Sequence, residues 1–137
     1  STLHTNDACG GITRLLDMGI EPFLIASSVV GILAQRLVRK ICEHCKEPTA
    51  VPQALIDELK ITGGKAQFFK GRGCEKCNQL QYTGRTAIQE YVEITPDIRQ
   101  MITARANQNE IFAAAVKEGM ITLRQSGVGK ALRGFKA

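Results

Sequence analysis

Apolar residues recur at helical spacing over the first third of the chain. Asn-Asp at 6–7 is suited to cap a helix that runs to about Met18 and is stopped by Gly19. A longer helix is predicted over about residues 22–41, with proline in its first turn and basic residues at its end. The opening STLHT at 1–5 is typical of the end of a strand, so we expect the chain to begin in the middle of a fold.

The pattern changes in the middle of the chain, where Pro48 and Pro52 interrupt regular structure. QALIDELKI at 53–61 then fits a short amphipathic helix, and KAQFFKGRG at 65–73 fits a short strand. RTAIQEYVEI at 85–94 alternates apolar and polar residues, which predicts another strand.

The last part of the chain predicts three helices. TPDIRQMITARA begins with Thr95 as an N-cap and proline at the first helical position. NQNEIFAAAVKEGM at 107–120 and TLRQSGVGKALRGF at 122–135 add further caps, helical apolar spacing and glycine stops. These patterns together predict a mixed α/β chain.

The composition is that of a protein that buries a core, since 44% of the 137 residues are hydrophobic. The net charge of +5 permits contact with phosphates but does not by itself predict it. The most apolar run, FLIASSVVGILA at 23–34, is shorter than the roughly 20 residues that cross a bilayer. The polar start does not have the features of a signal peptide, so we expect the thiols to lie in a reducing cytosol.

Four of the five cysteines form two CxxC pairs, Cys42 with Cys45 and Cys74 with Cys77, separated by 28 residues. Each pair can wrap a tight turn so that both sulfurs reach one cation, and two such turns complete a tetrahedral site. All four positions are then filled by protein, which predicts a structural zinc ion with no place for substrate. Four basic residues flank the cysteines and can offset the negative charge of the thiolates: Lys40, Lys46, Arg72 and Lys76.

Two other chemistries stay open for these cysteines, namely disulfide or redox pairs and an iron–sulfur cluster. A thioredoxin-like pair is expected after a strand and at the start of a helix, whereas Cys42 is predicted to follow a helix. His44 lies between two better-spaced thiols and is interpreted as a solvent-facing spacer. Cys9, on a predicted helix far from both pairs, is interpreted as a small buried residue.

Five features occur in a fixed order along the chain: STLHTNDA, RLLDMGIEPFLIASSVVGILAQRLVRKIC, the two CxxC pairs, GRTAIQEYVEI and MITLRQSGVGKALRG. In this order they resemble the cytoplasmic ATPases that power type II secretion and type IV pilus assembly. The resemblance covers nearly the whole chain. It is closest to the secretion and extension branch, because the similar pilus-retraction ATPases generally lack the cysteine pairs.

The resemblance implies the trailing part of a RecA-like P-loop NTPase core, an inserted four-cysteine zinc arm and a C-terminal helical segment. Residues 1–41 would be core elements, 42–84 the metal arm, and 85–137 the returning strand and helices. His4 would face the nucleotide phosphates, where a histidine can donate to a terminal phosphate and change contacts after hydrolysis. The implied partners are other subunits of a hexameric ring and the inner-membrane assembly platform, which would hold a cytoplasmic protein at the inner membrane face.

The chain departs from the family pattern in its nucleotide motifs. It has no G-x-x-x-x-G-K-[ST], because GVGKA at 127–131 lacks the first glycine and has alanine where magnesium needs a hydroxyl. The acidic motifs for magnesium and water would lie upstream of Ser1. We therefore expect ATP and Mg²⁺ to act only in a full-length parent and this chain alone to be inactive, whether it is an engineered fragment or a truncated natural product.

An alternative function from another class is a free-standing zinc-ribbon adaptor that binds nucleic acid. Its basic and aromatic groups would include Arg72, Lys76, Arg85 and the pair Phe68–Phe69. These bases are scattered among glutamates, so we favour the secretion ATPase and expect no nucleic-acid partner. A third alternative, a thiol–disulfide protein, needs a low thiol pKa and an exposed sulfur.

Overall fold

The computed structural model describes residues 1–58 and 67–133, and the chain divides into two compact units. Unit 1 comprises residues 1–35 and 89–123, and unit 2 comprises residues 36–88 and 124–137. The helices described are α1 (Ala8–Asp17), α2 (Pro22–Ser28), α3 (Gln53–Glu58), α4 (Pro96–Thr103), α5 (Gln108–Lys117) and α6 (Leu123–Leu132). The strands described are β1 (Gly31–Ile41), β2 (Lys46–Thr49), β3 (Phe68–Gly71) and β4 (Tyr82–Glu93).

Most of the predicted elements are confirmed, and the chain is mixed α/β. The first helix, the strand after residue 66, the strand around 85–94 and the three final helices all form. The helix predicted over 53–61 is present up to Glu58, and its remainder lies outside the described residues. Among the described residues, no helix is both long enough and apolar enough to cross a membrane.

The long helix predicted over residues 22–41 is wrong beyond Ser28. The backbone of Val29 is already extended, with φ −83° and ψ 124°, and residues 31–41 form β1. Two adjacent β-branched residues, Val29 and Val30, favour this change because their side chains restrict the backbone of a helix. The run also carries an alternation, with Ile32, Ala34 and Val38 half-buried and Leu33, Gln35, Leu37 and Arg39 exposed.

Two other local predictions were wrong. Residues 1–5 form no strand, because an extended segment becomes a strand only where a neighbour accepts its backbone hydrogen bonds. Conversely, β2 forms across Pro48, which was expected to break regular structure. Proline is tolerated in an edge strand, where its missing N–H faces away from the partner strand.

The strands pair in two separate two-stranded ladders. β2 and β3 are antiparallel, with Lys46 opposite Gly71 and Thr49 opposite Phe68. β1 pairs with β4. Beyond the ends of that ladder, the Cys42 N–H donates to the Gln81 carbonyl (3.0 Å) and the Ile94 N–H donates to the Val30 carbonyl (2.9 Å). The start of β1 therefore lies beside the end of β4, and this ladder is antiparallel as well.

The core of unit 1 is formed mainly by helices α1, α2, α4 and α5 and by the end of β4. Its largest fully buried side chains are mostly isoleucines: Ile12, Ile25, Ile98, Ile102 and Ile111. Side chains cap three of the helices as the sequence predicts. Asp7 accepts from Gly10 N–H (2.6 Å), Thr95 accepts from Ile98 N–H (3.3 Å), and Asn107 forms a capping box with Glu110.

Cys9 is completely buried in this core, which confirms its interpretation as a buried residue. Burial, together with the negative charges of Glu90 and Asp7, raises the pKa of its thiol from 9.0 to about 12. The thiol is therefore neutral in the folded chain at physiological pH and is not a nucleophile there.

We expect Gly71→Ala to destabilise unit 2 by about 1–3 kcal/mol, the usual range for overpacking. A Cβ at this position would overlap the Gln81 carbonyl oxygen and lie 2.9 Å from the Gln81 Cα, and backbone atoms cannot move aside easily. The measurement is urea unfolding. Gly127→Ala in α6 is the matched control, because its nearest neighbour would be Ile88 at 3.8 Å, and it should gain about 0.5–1 kcal/mol. A Gly71→Ala variant with the wild-type midpoint would contradict the tight packing at Gln81.

We expect Cys9 to make the fold sensitive to alkali. Its pKa is about 12 in the fold against 9.0 ordinarily, so above pH 9 the unfolded state loses a proton that the folded state keeps. Stability should fall with rising pH between these values, by up to about 1.4 kcal/mol per pH unit. The measurement is denaturant unfolding from pH 8 to 11 for the wild type and Cys9→Ala, which share every other titrating group. Parallel stability curves would contradict this assignment.

Candidate metal centre

The four paired cysteines lie where the ends of the two ladders meet within unit 2. Cys42 follows β1 and Cys45 precedes β2, while Cys74 follows β3 and Cys77 precedes β4. The Cys42 N–H donates to the Gln81 carbonyl (3.0 Å), and the Arg72 N–H donates to the Cys45 carbonyl (3.0 Å). Strand pairing therefore brings together two sequence motifs that are 28 residues apart.

Each CxxC pair folds into a tight turn of the kind that the spacing predicts. The Cys45 N–H donates to the Cys42 carbonyl (3.3 Å), and the Cys77 N–H donates to the Cys74 carbonyl (3.2 Å). In the second pair the Cys74 N–H also points to the Cys77 sulfur (3.3 Å). Asn78 ends this turn in the left-handed region at φ 50°, which asparagine tolerates better than most residues.

The sulfur atoms form a compact group in which every Sγ lies within 4.8 Å of the others. The separations are 3.8 Å between Cys42 and Cys74, 3.9 Å between Cys45 and Cys77, and 3.7 Å between Cys74 and Cys77. Four sulfurs placed tetrahedrally at 2.3 Å from one ion are about 3.8 Å apart. All five cysteines of the chain are free thiols. The arrangement can therefore hold a single metal ion.

The electrostatics of the cluster favour ionising one thiol before the others. A hydrogen bond from the Thr83 side chain, opposed in part by burial, lowers the pKa of Cys42 to about 6. Burial, opposed by a hydrogen bond from the Gly73 backbone and assisted by hydrogen bonds to the neighbouring thiols, raises the pKa of Cys45 to about 11. Once one sulfur carries a negative charge, ionising the rest requires a nearby positive charge, which a metal ion supplies.

Several basic side chains lie near Cys42, and they differ in the groups that they contact. Lys40, His44 and Lys76 line a shallow cavity beside Cys42. Lys46 instead donates to Glu43 (2.9 Å) and lies 5.2 Å from the ring centre of Phe69. The cavity side of the cluster is therefore the part where positive side chains can balance thiolate charge.

The two histidines lie outside the sulfur cluster. His44 is exposed, as expected for a spacer between two ligands. His4 belongs to unit 1, where it is exposed in the segment that precedes α1. The structure thus brings together the four predicted cysteines and leaves both histidines at the surface.

Sequence reasoning missed two polar residues that the structure makes important. The Thr83 side chain forms a hydrogen bond with the Cys42 thiol. Nothing in the local sequence distinguishes Thr83 from a surface threonine. Glu90 is a buried carboxylate in β4, and here a signal was present. It shares the even-numbered, inward-facing positions of the strand with Ile88 and Val92, so strand alternation places a charge among core residues.

Comparison with known proteins gives one consistent family. Residues 1–137 match the Type II/IV secretion system protein family. The chain is 45% identical over 140 residues to type IV pilus assembly ATPase PilB of Thermus thermophilus, covering 98% of this chain and 16% of that protein. It is 44% identical over 135 residues to type II secretion system protein E of Pseudomonas aeruginosa, covering 98% of this chain and 27% of that protein.

A further relative gives the same result. Type II secretion system protein E of Dickeya dadantii is 42% identical over 135 residues, covering 98% of this chain and 26% of that protein. The chain thus spans 16–27% of the length of these three relatives. Because the family match extends over all 137 residues, the chain belongs to the Type II/IV secretion system protein family.

Proposed function

We propose that this chain is the C-terminal region of an ATPase that drives type II secretion or type IV pilus assembly. The family match over residues 1–137, and relatives that are named as ATPases of these two systems, support the proposal. In it, residues 1–41 are trailing elements of a RecA-like core, 42–84 form a metal arm and 85–137 return to the core. ATP and Mg²⁺ bind to other parts of the full-length protein, which works in a ring against a membrane platform.

The second part of the proposal is that Cys42, Cys45, Cys74 and Cys77 bind Zn²⁺. The observation that supports it most strongly is the spacing of the sulfurs: all lie within 4.8 Å of one another, and three of the six separations are 3.7–3.9 Å, which match the edges of a zinc–thiolate tetrahedron. Bound zinc would act as a cross-link between the ends of four strands. Because all four positions are occupied by thiolates, the ion is structural and takes no part in phosphate chemistry.

The charge pattern of the arm favours this role over nucleic-acid binding. Lys46 pairs with Glu43 at 2.9 Å, and Lys70 pairs with Glu47 at 3.3 Å. Basic side chains that already have carboxylate partners are poorly placed to neutralise phosphates along a backbone. The arm is better suited to shape the subunit or contact a protein partner.

We expect elemental analysis of the chain, purified without added metal, to find about one zinc per molecule. Cys42→Ser and Cys77→Ser should lose the metal and the NMR dispersion of β2 and β3, because metal binding and local folding are linked. His44→Ala is the matched control, since this exposed side chain lies inside the first pair but outside the sulfur cluster. Full zinc retention by either serine variant, or a metal-free wild type with oxidised cysteines, would contradict the site.

The motor function can be tested with a chimeric protein. These 137 residues replace the corresponding segment of Pseudomonas aeruginosa type II secretion system protein E, to which they are 44% identical. The chimera should hydrolyse ATP and restore secretion to a strain that lacks the parent protein. His4→Ala should lower kcat by about tenfold or more with little change in KM, because a donor to a developing phosphate charge acts mainly in the transition state.

The chimera carries its own controls. His44→Ala changes the other histidine of the chain and should leave kcat unaltered. A folded, zinc-loaded chimera that hydrolyses no ATP and supports no secretion would contradict the proposed function. An active chimera in which His4→Ala is silent would contradict only the assignment of His4.

A further inference from the structure

Glu90 is a buried charge in the described part of unit 1, with only 2% of its surface exposed. A carboxylate at such a position destabilises a fold unless its oxygens find hydrogen-bond donors. Here both do: the Ala8 N–H donates to Oε1 at 2.9 Å, and the Leu123 N–H donates to Oε2 at 3.1 Å. One side chain therefore joins two backbone segments that are distant in sequence.

Both donors begin helices. Ala8 is the first residue of α1, and Leu123 is the first residue of α6. The first N–H groups of a helix have no partner within it and carry the positive end of the helix dipole, so a carboxylate suits them well. The same carboxylate accepts a hydrogen bond from both helix starts. If one of these hydrogen bonds is broken, the carboxylate can shift, and the hydrogen bond from the other helix start changes.

The start of α1 is also held from a second side. Asp7 caps the helix by accepting from Gly10 N–H at 2.6 Å. The side chain of Gln108, in α5, donates to both carboxylate oxygens of Asp7 at 3.2 and 3.3 Å. The Thr5 hydroxyl donates to the Asp7 carbonyl at 3.0 Å. The short segment that carries His4 is thus anchored where Asp7 and Ala8 are fixed by α5 and β4.

We propose that Glu90 is a positioning residue that couples the start of α6 to the segment carrying His4. An apolar residue would fill the same space in the core without the desolvation penalty of a charge. A carboxylate adds two acceptors pointing in different directions, which a glutamine cannot supply. The link between Leu123 and Ala8 through Glu90 is formed by residues of this chain. Its consequence for nucleotide sensing rests on the proposed function, because only that function gives His4 a ligand.

The first test is Glu90→Gln in the 137-residue chain. The amide keeps one acceptor and turns an N–H₂ group towards the other backbone donor, so one of the two hydrogen bonds should be lost. We expect hydrogen exchange of the Ala8 or Leu123 amide, followed by NMR, to accelerate about tenfold or more. Glu93→Gln is the matched control, because Glu93 is exposed on the same strand. Unchanged exchange of both amides would overturn the proposal.

The second test separates coupling from simple support and does not alter Glu90. Leu123→Pro removes one donor at a first helical position, where proline is tolerated, and Leu123→Ala keeps the donor while shortening the side chain. Relative to the alanine variant, we expect the proline variant to change Ala8 amide exchange by about threefold or more, within the range for residues that share a partner. The ring signals of His4 should shift with it. Identical Ala8 exchange and His4 signals in the two variants would show that Glu90 is only a static support.

The two proposals fail in different ways. Exchange and His4 signals are read in the chain alone, without ATP, so they do not depend on motor activity. Loss of coupling beside an active chimera would contradict the role of Glu90 and leave the proposed function standing. Intact coupling beside a chimera that folds but neither hydrolyses ATP nor supports secretion would contradict the function alone.

Discussion

The close approach of four cysteine sulfurs is the constraint on which the structure of unit 2 depends. These atoms lie within 4.8 Å of one another, a distance at which several negative charges cannot be held together without a cation. The thiols differ in their tendency to ionise, because a Thr83 hydrogen bond lowers the pKa of Cys42 to about 6 and burial raises the pKa of Cys45 to about 11. The two antiparallel ladders and the two tight turns hold the sulfurs in this group, which is arranged so that one metal ion can bind it.

Unit 1 also buries an acidic group, the carboxylate of Glu90. Its single buried carboxylate among the described residues, Glu90, is balanced by the partial positive charge of two helix starts. The remainder of that core is largely isoleucine, which contributes stability without needing polar partners. Unit 1 therefore holds its acidic group with oriented backbone amides, whereas the thiol group of unit 2 is arranged so that a metal ion can bind it.

The chain contains two features that bear on function, the four-cysteine cluster and the segment that carries His4. A site whose four positions are all filled by cysteine sulfurs has no open position for a substrate, as in structural metal sites. The segment with His4 is exposed and short, and its position is fixed by Asp7 and Ala8 through contacts from β4 and α5.

The sequence by itself determined the features whose causes are local. The CxxC spacing predicts the two turns, the residues Asp7, Thr95 and Asn107 predict helix starts, and strand alternation extends through residues 85–94. Tertiary structure decided whether residues 31–41 became helix or strand, because their apolar residues fit both periods and pairing with β4 selected one. It also gave Pro48 a place in an edge strand and Glu90 its two backbone donors. These partners come from distant parts of the chain. A local pattern of residues cannot predict which distant group will lie beside it in the fold.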